Sequence, residues 1–263
     1  MEIKRIMVIG AGFMGSGIAQ VMAAAGYDVV LMDVADGFVR KGMAAIEKNL
    51  AGSVAKGKLA EADKAATLGR IIATTELTPA KDCDLVIEAI IENKQAKMDL
   101  YRQLEEISPP QVLFVSNTSS IPITELATAT KRPDRFAGMH FFSPVPVMKL
   151  VEIIRGLKTA DATVQVIREL TDRIGKVGVL VKDGPGFLVN RVNAALRNEV
   201  YNCLAEGVAT IEDIDKALKF GLGHPMGPFE LGDFVGLEIG LAVAETLWDN
   251  FKDPKWRPAL SLR

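Results

Sequence analysis

IKRIMVIGAGFMGSGIAQVMAAAGYDVVLMD, residues 3–33, decides the fold. The apolar run at 3–10 reads as a buried strand. Residues 14–25 place Ile18, Val21, Met22 and Ala25 at helical spacing, and Gly26 supplies the stop. DVVLMD, residues 28–33, is a second strand. Two strands joined by a helix form a parallel pair, because the helix carries the chain back to the edge from which the first strand started.

The alternation continues. Strands are expected at 71–76, 84–90, 112–116, 136–140, 150–155 and 177–182. Residues 37–70, rich in Ala, Lys and Glu, read as a helical pair inserted between the second and third strands. Strand patterns stop after GPGF, residues 184–187. VNRVNAALRNEVYNCLAEG, IEDIDKALKFG and the segment from Pro228 to Asn250 are helical patterns, with Thr210 and Asp213 placed as a capping box. The sequence thus predicts an α/β domain over 1–185, a doubly wound and mostly parallel sheet, followed by an all-α domain over 186–263.

Composition narrows the function. A chain of 263 residues that is 49% hydrophobic can bury one large core or two unequal ones. Lys and Arg number 31 against 33 acids and are scattered, which argues against a nucleic-acid groove. Cys83 and Cys203 lie far apart without metal-ligand spacing, so they are expected as reduced thiols, and no metal site is expected. No apolar run reaches the ~18 residues of a membrane span, and the first strand begins at Ile3, so neither a membrane span nor a leader is expected. A cytoplasmic protein is expected.

The turn GAGFMG, residues 10–15, carries the first chemical signal. Gly10 permits the tight turn, Gly12 lets backbone approach a pyrophosphate, and Gly15 lets helix pack on strand. Asp33, at the end of the second strand, is placed to accept bonds from the adenosine ribose hydroxyls and to repel a 2′-phosphate. NAD is therefore the expected cofactor, in preference to NADP.

Ligands of open α/β sheets sit beyond the carboxyl ends of the strands. Glu92, the run Asn117 to Ser120, and His140 occupy such positions. Asn117 to Ser120 also fit the simpler reading of a cap for the helix that Pro122 begins. Glu152 adds weight to the histidine. It lies inside the apolar run LVEII, where a carboxylate needs a donor, and His140, just past the neighbouring predicted strand, is within reach. A carboxylate bonded to one imidazole nitrogen fixes the tautomer that a general base requires. Beside a nicotinamide, such a base suggests removal of a hydroxyl proton while a hydride leaves the same carbon.

VIGAGFMGSGIAQ, SNTSS, ATKRPDRFAGMHFF, PVPVMKLVEIIRG, GPGFLVNR and AEGVATIEDIDKALKFGLGHPMGPFELGDFVGL appear in that order. Through these segments the chain resembles the L-3-hydroxyacyl-CoA dehydrogenases, most closely the bacterial 3-hydroxybutyryl-CoA dehydrogenases. The resemblance implies a Rossmann-like domain, a helical domain through which two subunits dimerise, and an acyl-CoA substrate. It implies His140 as the base, Glu152 as its orienting partner, and Ser119 and Asn190 on the substrate's C3 oxygen and thioester region. It implies Gly10, Gly12, Gly15, Asp33, Glu92, Lys97, Asn117 and Ser119 around NAD, and Lys56 and Lys58 at the coenzyme A phosphates. The family usually carries Asn three residues after the histidine; this chain has Ser143, whose hydroxyl can also donate or accept a bond to the cofactor. Relatives are expected to run on for about twenty residues past SLR, so a shortened chain is expected here. His224, in GHPMGP, reads as a turn residue. The residues taken alone also admit a dehydrogenase of a free hydroxy or sugar acid, or a non-catalytic NAD-binding protein.

Overall fold

A computed structural model of the protein describes residues 2–259. The SLR end lies outside them. The chain divides into two compact units, Met1–Asp183 and Gly184–Arg263, within two residues of the boundary expected at Pro185.

The first unit is built on one sheet of eight strands: β1 Arg5–Ile9, β2 Asp28–Met32, β3 Ile71–Thr74, β4 Leu85–Glu88, β5 Leu113–Ser116, β6 Phe136–Phe141, β7 Leu150–Arg155 and β8 Val177–Lys182. Their spatial order is β3-β2-β1-β4-β5-β6-β7-β8. Neighbours run parallel throughout except β6 and β7, which are antiparallel. The order reverses direction at β1, which pairs with both β2 and β4 and so marks the switch point at which doubly wound sheets open a crevice. Every residue of β4, β5 and β6 is buried, which is why their sequences read as continuous apolar runs rather than alternating ones.

Helices α1 Phe13–Ala24, α2 Asp36–Ala55, α3 Glu61–Gly69, α4 Lys94–Ile107, α5 Ile123–Ala127 and α6 Asp161–Arg173 make the connections. The pair α2 and α3 is the insertion expected between β2 and β3. Helix α1 starts directly above β1 because Gly10 turns with φ +101° and because Gly15 has no side chain: a Cβ there would stand 1.7 Å from the Gly10 carbonyl oxygen.

Where the elements depart furthest from the sequence reading, the reason is local. β4 stops at Glu88, since the Ile90 N–H donates to the Glu88 carboxylate instead of continuing the ladder. β3 stops at Thr74, whose hydroxyl accepts the Glu76 N–H and starts a turn. In the second unit, the helical segment expected from Pro228 to Asn250 is two helices, α9 Pro228–Val235 and α10 Leu237–Phe251, parted at Gly236 with φ +105°. They follow α7 Val189–Ala205 and α8 Ile211–Leu222, and the Thr210 hydroxyl caps α8 by accepting the Asp213 N–H. Val200, Tyr201, Ile214 and Phe229 form one small core of this unit, and Ala194, Leu247 and Trp256 another. Among the described residues no helix is long and apolar enough to cross a membrane.

Gly15→Ala is expected to cost at least about 2 kcal/mol in urea unfolding, because the clash is with backbone that cannot turn aside. Gly12→Ala, whose new methyl would meet nothing within 4 Å, is the control and is expected to stay within about 0.5 kcal/mol of the parent. Equal midpoints for the two variants would contradict this account of the turn.

Candidate active site

The antiparallel junction brings His140 and Glu152 together. They are register partners in β6 and β7, and directly opposed residues of such a pair share one face of the sheet. His140 Nδ1 lies 2.7 Å from Glu152 Oε2. Glu152 is fully buried, and the imidazole N–H is a donor that offsets its desolvation. With the proton on Nδ1, Nε2 carries the lone pair and can accept a proton. His140 sits inside β6, one residue before its end, and the Phe142 ring packs 4.5 Å from the imidazole.

Neighbouring groups hold this strand end in place. The Phe141 N–H donates to Asn117 Oδ1 at 2.9 Å, extending the β5 edge by one side chain. The turn that follows begins at the exposed Ser143 and a cis Ser143–Pro144 peptide. Lys176 Nζ pins it by donating to the carbonyls of Val145 at 2.7 Å and Met148 at 2.8 Å, and burial lowers the lysine pKa. The sequence reading missed Lys176, since a lysine between a helix and a strand carries no signal of its own.

At the switch point the residues fit a dinucleotide. Helix α1 begins at Gly12 with no side-chain cap and no acidic residue in its first turn, and the space where a Gly12 Cβ would stand is open. Its first N–H groups therefore suit an anion such as a pyrophosphate. Asp33 accepts the Ala11 N–H on one oxygen and the Val34 N–H on the other, both at 2.7 Å. This locks the carboxylate beside the glycine turn, and each oxygen keeps a further lone pair for a ribose hydroxyl.

A second buried carboxylate, which the sequence reading overlooked, ends β4. Glu88 is fully buried; Oε1 accepts Lys97 Nζ at 2.5 Å and the Ile90 N–H at 2.8 Å, and Oε2 accepts the Ser116 hydroxyl at 2.6 Å. The Tyr101 hydroxyl lies 3.4 Å from Oε2, and burial pushes its pKa well up, keeping it a donor. The missed signal was the one that exposed Glu152, a carboxylate inside an apolar run, LVIEAII. Lys97, expected around the cofactor, is itself only 1% exposed and is directed at Glu88 and, at 3.3 Å, at Glu92.

Glu92 in turn gathers the loop after β5. Its Oε1 accepts the Thr118 hydroxyl at 2.6 Å, the Ser119 N–H at 2.9 Å and the Ser120 hydroxyl at 3.0 Å. Burial by itself would raise the Glu92 pKa; the Lys97 charge and these donors outweigh it and hold the carboxyl below the usual range. The capping reading of Asn117 to Ser120 is thereby corrected. Helix α5 is capped by Asp183, which accepts the N–H groups of Ile123 at 3.1 Å and Thr124 at 2.7 Å from 59 residues or more away in sequence. No local pattern could have shown that.

Of the remaining expected residues, Lys56 and Lys58 are exposed at the turn between α2 and α3, and Asn190 lies in the first turn of α7 in the second unit. His224 follows the left-handed Gly223 that ends α8, as a turn residue should.

Comparison with known proteins gives one consistent result. Residues 5–184 match the family model described as 3-hydroxyacyl-CoA dehydrogenase, NAD binding domain, and residues 186–263 match the corresponding C-terminal domain. The chain is 50% identical to a probable 3-hydroxybutyryl-CoA dehydrogenase of Deinococcus radiodurans, over 97% of this chain and 92% of that one. It is 46% identical to the human mitochondrial hydroxyacyl-coenzyme A dehydrogenase, over 99% and 85% respectively. A crystal structure of (S)-3-hydroxybutyryl-CoA dehydrogenase from Ralstonia eutropha superposes with a TM-score of 0.97 at 47% identity, covering 100% of this chain and 93% of that one.

The Glu92 knot should show in acid. Its pKa is lowered on folding, so its stabilisation is complete above the unfolded value of about 4.3 and is lost as pH falls through the folded value. The stability difference between the parent and Glu92→Gln, measured by urea unfolding, should be flat from about pH 7 to 5 and shrink below about pH 4. Partial exposure keeps it to about 1 kcal/mol. A difference that grows toward low pH would contradict the assignment.

Proposed function

The chain belongs to the 3-hydroxyacyl-CoA dehydrogenase family, and on that premise we propose that it interconverts (S)-3-hydroxybutyryl-CoA and acetoacetyl-CoA with NAD. The observation that carries the reading is the buried His140–Glu152 pair on the same sheet as an uncapped glycine turn suited to a dinucleotide. When bound, NAD supplies the acceptor and donor of the hydride.

The chain's own residues supply the rest. In the oxidative direction His140 Nε2 takes the proton of the C3 hydroxyl, and Glu152 stabilises the positive ring through Nδ1–H. In the reductive direction the same nitrogen returns a proton to the C3 oxygen. Ser119 and Asn190 are assigned to the C3 oxygen and the thioester region, where donors stabilise developing negative charge. Gly10, Gly12 and Gly15 accommodate the pyrophosphate, Asp33 the adenosine ribose, and Glu92, Asn117, Ser119 and Ser143 the nicotinamide half. Lys97 acts there through its contact with Glu92. Lys56 and Lys58, as exposed point charges, are assigned to the coenzyme A phosphates. The exposed side chains of Phe220, Leu222 and Phe234 in the helical unit support its assignment as the face through which two copies pair. A cytoplasmic location accords with this chemistry.

The test is loss of NADH absorbance with acetoacetyl-CoA. Turnover with NADH should far exceed that with NADPH, because Asp33 would face the extra phosphate. His140→Ala should lower turnover by about 10²–10⁴-fold while leaving NADH affinity nearly intact. Near-parental turnover in that variant would overturn the role of His140, and faster turnover with NADPH would overturn that of Asp33.

A further inference from the structure

The cluster at the end of β4 holds more charge than it neutralises. Glu88 and Glu92 are two carboxylates, and Lys97 is the one ammonium between them, at 2.5 Å and 3.3 Å. Nearby Lys94 is paired with Glu125 on the exposed side and leaves this sum unchanged. The other groups that meet the two carboxylates, Ile90, Ser116, Tyr101, Thr118, Ser119 and Ser120, are hydroxyl or N–H donors without formal charge. The formal charge of the cluster is therefore −1, two carboxylates against one ammonium, with Glu88 and Lys97 shielded from solvent.

Its place in the sheet gives that charge a direction. The adenosine half of a dinucleotide belongs over β2, where Asp33 lies, and the pyrophosphate over the start of α1. The nicotinamide half must then run the other way from the switch point, over the ends of β4 and β5 toward His140 in β6. The Glu88–Lys97–Glu92 cluster stands at those ends, beside the glycine turn, where Ala89 donates its N–H to Ile9 in β1.

The oxidised nicotinamide ring is a cation and the reduced ring is neutral. We propose that the Glu88–Lys97–Glu92 cluster sets the redox preference of the site, its net negative charge favouring the oxidised over the reduced cofactor. The inference rests on the dehydrogenase reading above and deepens it. By mass action, a site that holds the cationic form more tightly shifts the equilibrium between bound species toward hydroxyl product and oxidised cofactor. Glu88 reaches the cofactor through the field of the cluster rather than by contact, so it is a positioning residue with an electrostatic role.

Charge can be separated from structure by a pair of variants in the full chain, read as the dissociation constants of NADH, by fluorescence titration, and of NAD, by displacement of NADH. Glu88→Gln brings the cluster to zero and should raise the ratio of the NAD to the NADH constant on the order of five- to ten-fold. Glu88→Gln with Lys97→Met leaves Glu92 alone, restores one negative charge, and should return the ratio to that of the parent although two side chains are then replaced. A ratio that never moves, or a double variant shifted as far as the single one, would overturn the proposal. If Glu88→Gln does not fold, Glu92→Gln takes the cluster to zero from the more exposed carboxylate and should raise the ratio likewise, and an unmoved ratio would again overturn the proposal. A parent protein that binds neither nucleotide would contradict the dinucleotide reading itself, and this inference with it.

Discussion

A carboxylate sealed from water must find a donor, and at Glu152 the fold meets that demand through strand register. Side chains alternate between the faces of a sheet, so a slip of one residue between β6 and β7 would send His140 and Glu152 to opposite faces. Much of the surrounding structure serves that register. Asn117 ties the end of β6 to β5, and Lys176 ties the connecting turn to the start of β8. The single antiparallel pair in an otherwise parallel sheet also lets a short turn join the two strands. The histidine and the carboxylate are consequently only 12 residues apart in sequence and opposite each other in space.

Two buried carboxylates in one sheet have met different partners, and the difference fits their positions. Glu152 faces an imidazole, a group able to exchange a proton near neutrality. Glu88 faces a lysine ammonium and a serine hydroxyl, which hold charge in place. The first arrangement suits chemistry, and the second suits a fixed electrostatic environment around the loop that Glu92 gathers. Breaking such a pair by removing one partner is far more damaging than removing both, which is why the two halves of each are best understood as units.

Much of this was legible in the sequence because it depends on local pattern. The glycine turn, the parallel strands, the helical insertion, the unit boundary and the His140–Glu152 pair all follow from apolar periodicity, or from a charge where periodicity forbids one. Contacts made at long range escaped. Asp183 caps a helix 59 residues or more distant, and Lys176 bonds carbonyls 28 and 31 residues away, so neither leaves a trace near its own position. Glu88 escapes for another reason: its run, residues 84–90, has the pattern of a continuous strand, and nothing in that pattern marks the carboxylate as the strand's end. Lys97 was placed with the cofactor by resemblance, and its burial gives it a supporting role that no residue pattern reveals.

The central claim is that Glu152 fixes the His140 proton on Nδ1 and leaves Nε2 as the base. With two histidines in the chain, imidazole nitrogen NMR of the labelled protein at a pH where the rings are neutral addresses it directly. The account predicts that one histidine shows a protonated Nδ1 and an Nε2 of the unprotonated type, and that Glu152→Gln alters this signal alone. A His140 found with its proton on Nε2, indifferent to that substitution, would contradict the account.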